Sequence, residues 1–331
     1  MIHTTAIVSA EAVVDPSAEI GPYVVIEGPV RIGAGTRIMA HAVIRDATTL
    51  GVRNVVHPGV VLGGEPQDLA FRGAETFLTI GDDNVFREHA QAHRGTVPGT
   101  ATVIGNGNYF MQNSHVAHNC RIGDHTIVAG GALLAGHVEL ADRAFVSGNC
   151  VVHQHVRIGT LALMRGLSRT SRDVPPYCVV DGTHTVRGIN VVGLRRAGFT
   201  APRIAAIRRA VTMLFARPVH LGRALARLEG EATTDDVRHL IAFIRASRRG
   251  VCVAPRGRAM CREPVPDRRR EVIGVRPHAL GRERHGVLGL VAEIGRARHA
   301  PVPQARAVVL PVELAIERVA WVALRGRPHL S

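Results

Sequence analysis

The dominant feature of this chain is an aliphatic side chain at every sixth position. From Ile2 the column runs through Val8, Val14, Ile20, Ile26, Ile32, Ile38, Ile44, Leu50, Val56 and Leu62. It resumes in the same phase at Ile80 and Phe86. It returns at Ile104, Phe110, Val116, Ile122, Val128, Leu134, Leu140, Val146, Val152, Ile158 and Met164. Gly often follows this position (Gly21, Gly33, Gly51, Gly63, Gly81, Gly105, Gly123, Gly159), and four residues after it the side chain is usually small, as at Ala42, Ser114, Cys120, Thr126 and Ala132. An α-helix cannot keep one face apolar at a strict period of six. A short extended segment followed by a turn can. One large side chain per segment points inward, Gly lets the turn take a positive φ, and a small residue fits the corner. A single segment cannot bury its apolar side alone, so the coils must stack into an all-β solenoid.

The repeat breaks at 64–79 (GEPQDLAFRGAETFLT) and 94–103 (RGTVPGTATV). Insertions in a solenoid emerge as loops on one face, often the binding face. Each break adjoins polar residues: Gln67 and Asp68 in the first, His93 and Arg94 beside the second. The prolines of DVPPYCVVDG (173–182) end the regular coil. Helical patterns follow near 202–216, 219–229 and 235–249, the last with Asp235 and Asp236 suited to cap its start. The expected domains are a β-solenoid over 1–187, a helical domain over 188–251, and an Arg- and Pro-rich, poorly structured extension over 252–331. A helical pattern returns near 305–325.

Composition narrows the reading. Aromatic residues are only 4% of a chain that is 46% hydrophobic, which suits narrow stacked layers better than a globular core. The net charge is +14 and every basic residue is Arg. The extension carries +8 of this charge, and the first 251 residues show no basic stripe or basic–aromatic interleaving, which argues against a nucleic-acid partner. No apolar run reaches the ~20 residues of a membrane span, so an integral membrane protein is not expected. Five scattered cysteines and an N-terminus without signal-peptide character point to the cytoplasm.

The centre of the repeat reads MQNSHVAHNCRIGD, followed by LLAGHVELAD and CVVHQHVRIG. His118 and His137 are 19 residues apart, and His137 and His153 are 16, so these side chains could lie near one another on successive coils. Two chemistries suit such a cluster. Histidines across an interface can hold Zn²⁺, or one histidine can act as general base in acyl transfer at neutral pH.

Seven motifs occur in order over residues 65–199: EPQDL, AHRGT, HVAHNC, LAGHV, VVHQ, DVPPY and GINVVGLRRAGF. Together they resemble the UDP-N-acetylglucosamine 3-O-acyltransferases, hexapeptide-repeat enzymes that begin lipid A biosynthesis, and the likeness extends from Met1 to about Val251. The resemblance implies a left-handed parallel β-helix, where general crossover rules would favour the right hand. It also implies a homotrimer that needs no metal or cofactor. His118 would be the general base and the Gly136 N–H the oxyanion donor. Gln67, Asp68, His115, His137, His153 and Gln154 would line the substrate cleft, with Asn190 and Arg196 on the uridine-phosphate part. Met164, Arg165 and Gly166 would mark the acyl-length region. The donor would be a 3-hydroxyacyl group on acyl carrier protein, an acidic partner that arginines attract. The acceptor would be a UDP-linked amino sugar with a hydroxyl or an amine at carbon 3.

The chain departs from the family pattern with Ala70 in place of a Lys, Asn119 in place of an Asp, Ala197 in place of an Arg and Val192 in place of a Glu. The alternatives are a related acyltransferase using another nucleotide sugar or a coenzyme A thioester, a zinc enzyme of the carbonic anhydrase type, and a non-catalytic solenoid.

Overall fold

The computed structural model describes residues 1–215, 220–231 and 234–254. Beyond Ala254, the Arg- and Pro-rich extension and the helical pattern near 305–325 lie outside the described residues. The described chain winds through three sheets of nine, eight and ten strands, most of them two residues long. Each plain coil takes eighteen residues, so Val25 pairs with Val43 and Ile26 with Ile44. In each two-residue strand the second side chain points inward, and Ile26, Ile44, Val116 and Leu134 are buried on the axis. The result is a left-handed parallel β-helix, closed at its last strand by an antiparallel partner, Val186–Ile189.

The glycines that follow the aliphatic column do not make the turns expected of them. With the exception of Gly63, they have ordinary φ. The left-handed residue comes two positions later, at Tyr23, Gly35, Arg53, Asp83, Gly107 and His125. Glycine is required instead because neighbouring coils approach too closely for a side chain. A Cβ on Gly105 would lie 2.3 Å from Asp124 Oδ1 and 2.8 Å from Gly123 O. The same carboxylate oxygen accepts the Asn106 N–H at 2.7 Å, and Asp82 and Asp142 accept the N–H groups of Val52 and Asp124 in the same way. The pairs Gly81-Asp82, Gly105-Asn106 and Gly123-Asp124 therefore mark a corner where a side chain of the next coil caps a backbone donor.

A second ladder runs inside the solenoid through Thr36, Asn54, Asn84, Asn108 and Thr126, all buried. Asn84 Oδ1 accepts the Asn108 N–H at 2.9 Å, and Asn84 Nδ2 donates to Gly105 O at 2.9 Å and to Asn54 Oδ1 at 3.0 Å. These amides satisfy backbone groups that the tight corners leave unpaired inside the core.

Two loops interrupt the coils without disturbing their phase. Val61 pairs with Gln91, thirty residues on, and Phe77 with Ala101, twenty-four on. The insertions thus add twelve and six residues, whole multiples of the repeat. They are narrower than the sequence suggested, lying between the strands Val61–Gly64 and Phe77–Ile80, and between Gln91–His93 and Ala101–Ile104. Both leave the solenoid after strands of the nine-stranded sheet. The next coil places His118 and Asn119 at that same corner.

Past the coils come four helices: α1 (Val191–Arg196), α2 (Ala201–Phe215), α3 (Leu221–Glu229) and α4 (Asp235–Arg245). The start of α4 differs from expectation. Thr234 is the N-cap residue, while Asp236 forms an ion pair with Arg203 on α2 at 2.8 Å. Asp173, almost fully buried, joins solenoid to helices by taking hydrogen bonds from Arg157 and from Ser247 Oγ (2.8 Å). The chain then returns to the sheet ends, where Val251 bridges Asp173 and Val253 bridges Thr185. Cys252 between them is fully buried, so packing continues past residue 251. No described helix is long and apolar enough to cross a membrane.

Replacing Asn84 with Ala strands a buried N–H and a buried C=O at once. It is expected to cost about 2–4 kcal/mol in chemical denaturation, and a loss below about 1 kcal/mol would show that the amide ladder contributes little.

Candidate active site

Five successive coils bring polar groups to one corner. The first two contribute the loops, the third His118 and Asn119, the fourth Gly136 and His137, and the fifth Gln154 and His155. The eighteen-residue register decides which groups stack. His118, Gly136 and Gln154 occupy one column, and Asn119, His137 and His155 the next. The last three have φ of 59°, 59° and 60°. That strained conformation is held by backbone bonds to the preceding coil, including His137 N–H to His118 O at 2.9 Å and His155 N–H to Gly136 O at 3.0 Å.

His118 is largely buried, with 12% of its side chain exposed. Its Nδ1 lies 3.0 Å from Asn119 Oδ1. The same oxygen accepts the Thr96 N–H at 3.0 Å, and Asn119 Nδ2 donates to Thr100 Oγ1 at 3.0 Å. A backbone N–H can only donate, so the Asn119 oxygen must face both Thr96 and His118. His118 Nδ1 is then the protonated nitrogen and Nε2 the free one. Nε2 faces Asp68 Oδ2 at 4.0 Å. It also faces Gly136, where a Cβ would come within 2.6 Å of it. Among the described residues nothing accepts the Gly136 N–H.

The surrounding imidazoles form a chain of ring contacts. His118 meets His137 edge-on at 5.3 Å, and His137 stacks on His155 at 4.4 Å. His93, from the strand before the second loop, meets His115 edge-on at 4.9 Å. Burial, reinforced by His93 and His118, pushes His115 down to about 4. Burial also lowers His93 and His137 below the usual imidazole range. His93, His115 and His137 therefore favour the neutral imidazole at neutral pH.

The spacing of His137 and His153 suggests that they stack, but the eighteen-residue register puts His155 there instead. His153 is exposed, and its Nδ1 lies 3.2 Å from Arg249 Nη2 beyond α4. Gln67 is exposed on the first loop and Gln154 at the corner. Asn190 is buried and committed to the fold: it caps α1 through Gly193 N–H (2.9 Å) and donates to Leu161 O (2.9 Å). Arg196 is exposed in the last turn of α1. Met164 is in the core, whereas Arg165 and Gly166 are exposed. Sequence reasoning missed Thr96 and Thr100, whose parts depend on loop geometry.

The chain is similar in sequence and fold to known proteins. The family described as bacterial transferase hexapeptide (six repeats) matches residues 11–46 and 101–136, and the one described as UDP-N-acetylglucosamine O-acyltransferase, domain 2, matches residues 173–252. An acyl-[acyl-carrier-protein]–UDP-N-acetylglucosamine O-acyltransferase of Anaeromyxobacter sp. (strain K) is 44% identical over 253 residues, covering 76% of this chain and 98% of that protein. One from Thermodesulfovibrio yellowstonii is 39% identical over 254 residues, with the same coverage. The structure of Francisella novicida UDP-N-acetylglucosamine acyltransferase superposes with a TM-score of 0.74 at 34% identity, covering 77% of this chain and 95% of that one. The Campylobacter jejuni enzyme gives 0.72 at 31%, covering 77% and 100%. Fold and relatives define the class as a hexapeptide-repeat acyltransferase. Within it, the chain belongs to the acyl-[acyl-carrier-protein]–UDP-N-acetylglucosamine O-acyltransferase family. Membership sets aside the zinc-enzyme and scaffold readings.

The His115 environment makes a prediction about acid. Unfolded, this imidazole takes a proton near 6.5, while in the fold it resists until about 4. The unfolded state therefore binds more protons between these values, and stability falls as pH drops from 6.5 towards 4. Denaturant midpoints measured across that window should decline, and His115→Gln should flatten the decline; an unchanged slope would overturn the assignment.

Proposed function

We propose that this chain transfers a 3-hydroxyacyl group from acyl carrier protein to the 3-position of UDP-N-acetylglucosamine or its 3-amino analogue, the first step of lipid A biosynthesis. The observation that supports this best is the pair of contacts fixing His118: Nδ1 tied to Asn119, and Nε2 free and facing Asp68 and Gly136. In this reading Nε2 takes the proton as the sugar oxygen or nitrogen attacks the thioester carbonyl. A new C–O or C–N bond forms, and the Gly136 N–H meets the charge on the carbonyl oxygen. Such a donor contributes about 3–4 kcal/mol. Collapse breaks the C–S bond, and the departing thiolate recovers the proton from His118.

The other residues take supporting parts. Asp68 and Gln67 hold the sugar from the first loop, and His115, His137, His153 and Gln154 line the remainder of the cleft. Arg196 meets the uridine-phosphate part, and Asn190 contributes by holding the start of α1. Arg165 and Gly166 border the acyl chain. A Cβ on Gly166 would meet only Gly148 O, at 3.5 Å, so this position can take a small side chain that shortens the space. Met164 backs them from the core.

The enzyme acts as a cytoplasmic homotrimer in this reading, and the outward side chains support the association. One face presents Val55, Val85, Tyr109, Ile127, Phe145 and Leu163, and a second presents Val43, Val61, Leu133 and Val151, with Gln91 and His115 between Val61 and Leu133. The third presents Arg31, Thr49, Thr79, Val103, Arg121 and Glu139. Two mostly apolar faces and one mostly polar face suit a three-fold bundle with the polar face outside. Phe145→Glu should convert trimer to monomer in analytical ultracentrifugation, and an intact trimer would exclude that face from the interface.

Transfer should be assayed from a panel of 3-hydroxyacyl carrier proteins to both sugars. His118→Ala is expected to abolish turnover while the circular dichroism is unchanged, and an active variant would sink the mechanism. Gly136→Ala drives a methyl into the His118 ring and should lower kcat by about 100-fold or more; wild-type turnover would remove Gly136 from the site.

A further inference from the structure

The His118 ring has two working edges, and residues 94–96 reach both. On the Nδ1 edge, the Thr96 N–H holds the Asn119 oxygen that receives the ring proton. On the Nε2 edge stands Asp68, carried by the first loop, and Arg94 anchors that loop. Arg94 is only 7% exposed. Its Nη1 donates to Asp46 Oδ1 at 2.6 Å, and its Nη2 lies 3.7 Å from Glu65 Oε1 at the start of the loop. Its guanidinium carbon sits 5.6 Å from the centre of the Phe71 ring, and its backbone N–H donates to Gly64 O at 3.0 Å. Phe71 and Asp68 move together, because Asp68 O accepts the Phe71 N–H at 3.0 Å and Asp68 Oδ1 the Ala70 N–H at 2.9 Å.

The residue between the two anchors is equally constrained. A Cβ on Gly95 would lie 2.5 Å from Thr100 O and 2.6 Å from Thr100 Oγ1. That hydroxyl donates to Val97 O at 2.6 Å, so it faces Asn119 Nδ2 as an acceptor. A side chain at 95 would push the second loop away from Asn119.

We propose that Arg94-Gly95-Thr96 is the positioning element of the general base, with Arg94 fixing Asp68 against the Nε2 edge and Thr96 fixing the proton on the Nδ1 edge. Both settings come from three consecutive residues, so the distance between base and sugar-binding carboxylate is set by the length of that segment. Arginine suits the role because one planar fork reaches two carboxylates while its face covers an aromatic ring, which the ammonium of a lysine cannot do. The inference rests on the acyl-transfer reading for the meaning of the geometry, while the tether itself can be tested separately.

The test compares wild type with Arg94→Gln, Arg94→Lys and Arg94→Ala by steady-state kinetics and by amide hydrogen exchange. Arg94→Gln should lower kcat/KM for the UDP-sugar by about 10- to 100-fold. It should also speed exchange at Ala70 and Phe71, while exchange in the coils from 104 to 164 is unchanged. Arg94→Lys should fall between the two, and free guanidinium should restore part of the activity of Arg94→Ala. Wild-type kcat/KM in Arg94→Gln, or a loss of activity with loop exchange unaltered, would overturn the proposal. Should Arg94→Gln fail to fold, Glu65→Gln combined with Phe71→Leu loosens the tether from the loop side. The same two readouts then decide: faster exchange with a raised KM supports the proposal, and wild-type values overturn it. An inactive wild type would count against the acyl-transfer reading alone, with loop exchange in the variants still deciding whether Arg94 tethers Asp68.

Discussion

Everything in this molecule depends on one coil lying in register on the next, eighteen residues apart. Parallel strands stack at about 4.8 Å, and strands of two residues cannot hold that register with backbone bonds alone. Three further interactions enforce it. Aliphatic side chains pile up along the axis. Buried Asn and Thr side chains bind the backbone of the following coil. Asp and Asn side chains at another corner accept N–H groups from the coil before. Hydrophobic stacking is tolerant of small slips, whereas a buried amide that loses its partner leaves a desolvated polar group behind. The polar ladders therefore supply specificity and the apolar column supplies most of the driving force.

The site inherits its geometry from that register. A corner of a solenoid repeats at fixed spacing, so groups placed eighteen residues apart stack in columns without any local device to align them. His118 and Gly136 face each other for this reason, and the ring leaves no room for any residue but glycine at 136. What the register does not supply are groups on the ring's remaining edges, and the two loops bring those. Asp68 and Thr96 both arrive from insertions at the same corner, on the two coils before His118. Asn119 differs from the aspartate usual in the family in being neutral. It can hold the ring proton only because Thr96 and Thr100 hold the amide itself the right way round.

Much of this was legible in the sequence, for physical reasons that also explain the misses. The six-residue column survived two insertions because each adds a whole number of repeats, and every member from Ile20 to Met164 is in the core. The Gly column is plain in the sequence, but close approach between coils, not a positive φ, is what requires it. The described residues that carry positive φ are Tyr, His, Arg, Asp, Asn, Ala or Leu more often than Gly, so composition does not mark them, and the close approach that demands Gly is visible only between coils. His153 was grouped with His137 on a spacing of 16, but a stack needs 18, which selects His155. The extension was drawn from residue 252, although Cys252 is wholly buried between two bridged valines; a change in composition need not coincide with the end of packing. Arg94 was noted as a polar neighbour of a loop, and its contacts to Asp46, Glu65 and Phe71 join segments whose separation along the chain hides them.

The inner ladder also has a direction. Asn54, Asn84 and Asn108 each offer an oxygen to an N–H of the coil that follows, and Asn54 and Asn84 each offer an N–H to a carbonyl of that coil. A completed coil thus presents a polar template for the next stretch of chain, and that stretch in turn caps the corner N–H groups the coil leaves open. The protein can be wound from its N-terminus as it leaves the ribosome, each turn proofreading the placement of its successor.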